Sequence, residues 1–167
     1  MKDAARTSIL SKTWRYSWTY LPDLDFDAKK SLGVANFRMK RKQYVMWVNQ
    51  VIKAHRAPMV KRFRIFYSLD ATHACDIDRW VRFCSRKGVQ ELDLDCAGDL
   101  GNAQGEYYSV QSVWQLFEPL DTCKIQAFTN LRSFRVEALN ISGALPEFML
   151  SKCPLLETLC LRWCQGL

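Results

Sequence analysis

Seven cysteines, two histidines and two closely spaced carboxylate pairs are the residues of this chain with the widest chemical range. The thiols stand at positions 75, 84, 96, 123, 153, 160 and 164, with no Cys-x-x-Cys pair among them. His55 and His73 share no ligand spacing with any cysteine pair, so the pattern of a zinc site is missing. An odd number of thiols, several inside apolar segments, reads as reduced, buried side chains. Asp76/Asp78 and Asp93/Asp95 have the spacing of acid–base or metal groups. Asp76, however, reads as a helix N-cap, and Asp93 and Asp95 as the outward face of a strand. The chain has no glycine-rich phosphate loop, no Gly-x-Ser-x-Gly elbow and no acidic partner placed to complete a triad with either histidine. The expectation is a non-catalytic protein with no cofactor and no metal.

Cations and aromatics offer a different chemistry. Residues 1–67 carry 15 Lys/Arg against 4 Asp, a net +11, whereas residues 68–167 carry 9 against 13, a net −4. The densest basic run, Arg38-Met39-Lys40-Arg41-Lys42, fits a nucleic-acid contact, a nuclear address or the solvated face of a helix, and the solvated face is the reading preferred here. In Ser8 to Trp18, Trp14 and Trp18 lie four residues apart and share one helical face. They can pack within a small module or face a partner. No run approaches the ~20 apolar residues of a membrane span, and no apolar signal region opens the chain. The expected location is the cytosol or nucleus, and nucleic acid and membrane are set aside as partners.

Positioning these groups requires elements whose periods are legible. One helix is expected from Ala4 to Ser11 and another from Thr13. Leu21 to Asp27, with Pro22 and three aspartates, reads as a helix-ending turn. Tyr44, Val45, Val48, Val51, Ile52 and His55 keep one helical face from about residue 37 to 55, and Pro58 limits it. Val60, Phe63, Ile65 and Tyr67 fit a strand. Ile77, Trp80, Val81 and Cys84 form the next helical stripe, with Arg86 and Lys87 in its last turn and Gly88 as the residue after its end. Val89 to Asp95 then alternates apolar and acidic residues as a strand with one buried face.

The alternation is a repeat. An apolar-x-x-apolar-x-apolar core occurs as Val60/Phe63/Ile65, Val89/Leu92/Leu94, Leu131/Phe134/Val136 and Leu156/Leu159/Leu161, at intervals of 29, 42 and 25 residues. The outer intervals match the period of leucine-rich repeats, and Cys164 completes the signature of the last copy. The 42-residue interval is long for one repeat and short for two; Val113 to Phe117 and Cys123 to Ile125 are candidates for a degenerate unit within it. In such a solenoid function lies on the residues between the leucines, here Arg64, Glu91, Asp93, Arg135, Glu137, Arg162 and Trp163, whose signs are mixed.

The chain resembles plant F-box proteins with leucine-rich repeats and an FBD region. Lys2 to Arg15, with Trp18, Leu21-Pro22 and Leu24 to Asp27, is similar to the second half of that family's F-box. Asp76 to Val81 with Lys87 to Asp95 looks like its first repeat helix and strand, and Leu150 to Cys164 like a later repeat. The expected fold is therefore α/β: partial F-box helices at 1–27, a linker and helix at 28–58 packing on the first repeat, and a short leucine-rich-repeat solenoid at 59–167, its alternating helices and parallel strands forming an open curved sheet. The family's upstream Leu-Pro helix is expected to be missing, as is its C-terminal region. The resemblance implies a Skp-type adaptor and a cullin ligase as partners, met through Ile9, Leu10, Trp14, Trp18 and Leu21, with the repeats holding an unknown protein substrate. The alternative is a repeat module that binds proteins without recruiting a ligase.

Overall fold

A computed structural model describes residues 17–27, 41–69, 71–96, 108–109, 128–137, 139–140, 145–162 and 164. Its centre is a parallel sheet of five short strands: β1 (Asp23–Asp27), β2 (Arg62–Phe66), β3 (Glu91–Asp95), β5 (Ser133–Glu137) and β7 (Thr158–Arg162), in the order β1-β2-β3-β5-β7. Helix α1 (Arg41–Ala54) lies between β1 and β2, α2 (Ala74–Arg86) between β2 and β3, and α3 (Leu145–Lys152) between β5 and β7. Two residues each of β4 (Tyr108–Ser109) and β6 (Leu139–Asn140) pair in a separate parallel ribbon.

The strands are in register from edge to edge. Leu24, Phe63, Leu92, Phe134 and Leu159 stand in one row, and Phe26, Ile65, Leu94, Val136 and Leu161 in a second. Side chains alternate faces along a strand, so both rows point to the same side and are withdrawn from water together. One backbone device sets this register. Each strand start sends two amides to a single carbonyl of the preceding repeat: Lys61 and Arg62 to Pro22, Gln90 and Glu91 to Lys61, Arg132 and Ser133 to Gln90, and Glu157 and Thr158 to Arg132, at 2.7–3.3 Å.

β1 corrects the sequence reading, which took Leu21 to Asp27 as the turn closing a helical module. Leu21/Leu24/Phe26 is a fifth copy of the repeat core, paired with β2, so this stretch stands with the sheet. Proline obscured it, yet Pro22 lies one residue outside the strand and contributes only its carbonyl, a position a sheet edge tolerates. The 42-residue interval is settled too: β3 pairs directly with β5, so it is one lateral step with an excursion. Val113 to Phe117 and Cys123 to Ile125 lie outside the described residues.

The helices cover the inward rows with aromatic side chains. Tyr44 of α1 stacks on Tyr67 at 4.2 Å and donates its hydroxyl to the Phe26 carbonyl at 2.6 Å, while Trp47 meets Phe26 edge-on at 5.3 Å. Asn49 joins α1 to α2, accepting from Trp80 Nε1 at 2.8 Å and donating to Asp76 Oδ1 at 3.1 Å. Gly88 ends α2 with φ +59°, the left-handed C′ conformation that glycine adopts without strain. Asp76 is not the N-cap expected of it: a 3-10 turn, Ala71–His73, leads into α2, and Asp76 falls in its first helical turn, bonded to Asn49 and Arg79.

Burial is uneven along the rows. Leu24, Phe63, Leu92 and Phe134 are at most 1% exposed, whereas Leu159 and Leu161 of β7 are only half-buried. Leu92→Ala is therefore expected to lower the unfolding free energy by about 2–5 kcal/mol, read from a urea titration. The same truncation at Leu159 is expected to cost roughly half as much, in proportion to its smaller burial. Equal losses at the two sites would contradict this account.

Candidate functional site

The sheet's other face carries everything polar that the strands present. With the register fixed, three outward rows form: Asp23, Arg62, Glu91, Ser133 and Thr158; Asp25, Arg64, Asp93, Arg135 and Cys160; and Asp27, Phe66, Asp95, Glu137 and Arg162. Neighbours within a row are ~4.8 Å apart and rows ~6.6 Å apart, so every charge has close counterparts.

Arg64 is the hub. Its guanidinium lies 3.6 Å from Asp25 Oδ1, 3.6 Å from Asp27 Oδ2 and 3.4 Å from Asp93 Oδ2, and its Cζ stands 5.0 Å from the centroid of the Phe66 ring. Arg62 pairs with Glu91 at 2.6 Å and Arg162 with Glu137 at 3.7 Å, while Arg132, just before β5, pairs with Glu157. Each pair joins adjacent strands. Exposed pairs of this kind contribute little stability singly, ~0–1 kcal/mol. Their effect is to hold long side chains in one arrangement.

Asp93 differs from its neighbours. Burial pushes its carboxyl above the ordinary carboxylate range, Arg135 and Arg64 pull it back, and Asp95 and Glu137 push it up again. Its Oδ1 is shielded from solvent and has no hydrogen-bond partner. The central carboxylate of the face is thus held at some expense to the fold.

Of the repeat-surface residues expected from the sequence, the sheet brings six onto this face. Arg64, Glu91 and Asp93 are half-buried, Arg135 and Arg162 are exposed, and Glu137 is buried. Trp163 lies outside the described residues. So do Ile9, Leu10 and Trp14 of the expected adaptor-binding set. Trp18 sits in a 3-10 turn, Ser17–Tyr20, and packs against the sheet's core. Leu21 accepts a hydrogen bond from His55 Nε2 at 3.0 Å through its carbonyl. Sequence reasoning missed the rows themselves, and with them Asp25, Asp27 and Phe66 as partners of Arg64. The alternation Asp-Leu-Asp-Phe-Asp was the available signal.

His55 ties this turn to the end of α1, where Arg56 and Ala57 also donate to the Thr19 carbonyl at 2.8 and 3.3 Å. Because Nε2 donates to Leu21, Nδ1 is the bare nitrogen of the neutral ring, and it is buried without a partner. Burial lowers the His55 pKa, the bond to Leu21 opposes this, and the nearby Lys87 charge lowers it further.

The thiols divide. Cys84, Cys96 and Cys153 are buried, and burial raises all three, Cys153 to about 11. Among the other described cysteines, Cys160 and Cys164 are half-buried and Cys75 is exposed, which departs from the reading of the thiols as buried. The exposure of Cys75 follows from its place beside the apolar stripe of α2, one residue before Asp76. Among the described residues no three His, Cys, Asp or Glu side chains are grouped to hold a metal ion, and no helix is long and apolar enough to cross a membrane.

Comparison with known proteins gives one consistent kind of relative. Over its whole length the chain is 31% identical to an F-box/FBD/LRR-repeat protein of Arabidopsis thaliana, covering 41% of that protein. It is 28% identical to an F-box/LRR-repeat protein of the same plant, with 98% of this chain and 35% of the relative aligned. An FBD-associated F-box protein, also from Arabidopsis thaliana, is 26% identical over 93% of this chain and 38% of its own length. The chain thus spans less than half the length of these relatives. No family model matches it, and no solved structure matches it significantly.

Two measurements follow from the titrating groups. Asp93→Asn mimics the protonated carboxyl, so it is expected to leave the melting midpoint unchanged or raised at pH 7. A carboxyl raised by folding weakens the fold above its folded pKa and not below the unfolded value near 3.8. Variant and wild type should therefore converge toward pH 4, and a large loss at pH 7 would show that the Arg64 pair outweighs burial. For His55 the sign is reversed in pH. A histidine depressed by folding contributes full stability above the usual value of 6.5, and loses it as pH falls below that. His55→Phe is expected to flatten the decline in denaturation midpoint below pH 6.5.

Proposed function

We propose that this chain, a plant F-box/leucine-rich-repeat protein of the FBD type by its similarity to those relatives along its length, is a substrate-recognition adaptor for a Skp-cullin ubiquitin ligase. Its N-terminal segment meets the Skp-type adaptor, and the outward face of the repeat sheet holds the target protein. It acts in the cytosol or nucleus as a non-catalytic scaffold, bringing a protein to a ligase whose chemistry is done elsewhere.

The observation that carries the reading is the similarity to F-box/LRR proteins running through both the N-terminal segment and the repeats. Physical chemistry supports it in kind. Apolar and aromatic side chains in the N-terminal segment are of the kind that fills a partner's groove, and a row of strands in register gives fixed positions to side chains that read a second protein. Rigid strands lose little freedom on binding, which favours affinity.

One observation favours a second reading. Trp18 packs on the sheet core and the Leu21 carbonyl is engaged by His55, so two of the five residues expected to face the adaptor serve the repeat domain. A repeat module that binds its target without recruiting a ligase needs no more than that.

Co-purification of the chain with a purified Skp-type adaptor separates the two. Under the first reading the adaptor is captured, and Ile9→Asp combined with Leu10→Asp weakens capture by about tenfold or more, since two apolar contacts of ~1 kcal/mol each are lost. The melting curve of the repeat sheet should stay as in the wild type. No capture by the wild-type chain would leave the second reading standing.

A further inference from the structure

We infer that His55 is a proton-operated latch: with a neutral ring it fastens the turn Ser17–Tyr20 to the end of α1, and a second proton on that ring releases the turn while the repeat sheet stays folded. The turn is where residues 1–16 join the sheet. The latch belongs to the fold and stands whether or not a ligase is recruited.

The first support is the place at which the turn is held. α1 ends at Ala54, and the next three residues carry the attachment. His55 Nε2 donates to the Leu21 carbonyl at 3.0 Å, and the Arg56 and Ala57 amides both donate to the Thr19 carbonyl, at 2.8 and 3.3 Å. Thr19 is buried and Trp18 packs against the core, so these bonds close the turn down onto the sheet. β1 has a separate attachment, from the Pro22 carbonyl to Lys61 and Arg62 and through its pairing with β2. The turn can therefore let go without taking the strand with it.

The second support is that the surroundings of the ring suit one protonation state only. Because Nε2 donates to Leu21, a second proton must go to Nδ1, which is buried without a hydrogen-bond partner. The Phe83 ring crosses the imidazole at 83°, with centroids 5.8 Å apart. Lys87 donates to the Ala57 carbonyl at 2.6 Å, and its ammonium stands 5.7 Å from the centroid of the same Phe83 ring. Lys53 and Arg56 on the histidine's own stretch, and Arg82 and Arg86 on α2, are exposed cations, and among the described residues no carboxylate acts on the ring. An imidazolium here has a like charge nearby, no counter-charge and no acceptor for its new proton, whereas water supplies the acceptor at once. Leaving the site breaks the Leu21 bond. Burial holds the ring's pKa below the usual 6.5, the Leu21 carbonyl opposes this, and Lys87 adds to it. The latch is thus shut above 6.5, and its opening constant rises as pH falls below that, by up to about tenfold per pH unit until the closed-state value is reached.

Amide hydrogen exchange of the full chain at about pH 7.5 and about pH 5.5, corrected for the intrinsic pH dependence of exchange, reads local opening directly. Arg56 and Ala57 report the latch, and Arg132 and Ser133, whose amides are held by the Gln90 carbonyl, report the sheet. Protection at the first pair is expected to fall by up to about tenfold at the lower pH while the second pair is unchanged. His55→Gln keeps an N–H for the Leu21 carbonyl and does not titrate, so the fall should vanish. Lys87→Gln keeps a donor for the Ala57 carbonyl and removes the like charge, so the fall should be smaller than in the wild type; this variant leaves His55 in place and decides the matter even where His55→Gln misfolds. No fall at Arg56 and Ala57, an equal fall at Arg132 and Ser133, or a fall undiminished in either variant overturns the latch.

Discussion

A single carbonyl at the start of each repeat, accepting two amides from the next, is the contact on which the rest of this molecule depends. Pro22, Lys61, Gln90 and Arg132 play that part in turn, and each fixes its neighbour without offset. Because side chains alternate faces, a slip of one residue at any step would exchange core for surface along a whole strand. The zero offset puts five apolar side chains in line twice over. It also lines up the outward charges so that Arg64 finds acids on both sides. The core and the candidate site are two consequences of one register.

What the register does not equalise is the packing above it. At the β1 end, Phe26 meets Trp47 and Phe63, Tyr44 stacks on Tyr67, and the inward residues are sealed. At the β7 end, Leu159 and Leu161 retain partial access to water, and Leu155 is 44% exposed. A stack in which each repeat touches only its neighbours transmits stability as nearest-neighbour contributions. The aromatic end therefore anchors the array and β7 is its weaker margin. The acidic side chains of β1, Asp23, Asp25 and Asp27, also discourage edge-to-edge pairing at the anchored end, a common protection for a terminal strand.

Much of this was legible in the sequence. Four of the five strand cores were found from the apolar spacing alone, and Gly88 marked the end of α2 because only its lack of a Cβ makes φ +59° easy. The first strand was lost because Pro22 and alternating aspartates carry the composition of a turn, and composition competes with a period of two over only five residues. Asp76 was misplaced because the turn Ala71–His73 extends the helical path upstream, so the capping position moved to His73. The bond from His55 to Leu21 joins residues 34 apart, and no local spacing encodes it. The charge rows failed for a more general reason. Read along the chain their signs are mixed; only the lateral register sorts them into an acidic half and a basic remainder.

That sorting bears on why the face is built as it is. If stability were the only demand, a half-buried aspartate in the centre of the sheet, with one oxygen shielded and unpartnered, would be a poor choice beside asparagine or threonine. Its neighbours do not remove the penalty: Arg135 and Arg64 pull the carboxyl back without cancelling the effect of burial, and Arg64 is shared with Asp25 and Asp27. The aromatic anchor supplies enough apolar burial to carry such a group, as the sealed inward rows on the strand beneath it show. The register then delivers the carboxylate to the middle of an exposed, rigid surface. The tightly packed half of the molecule and the part of its surface that holds a shielded, unpartnered carboxylate oxygen are the same strands, so the apolar burial beneath offsets the cost of that group without loosening the fold that presents it.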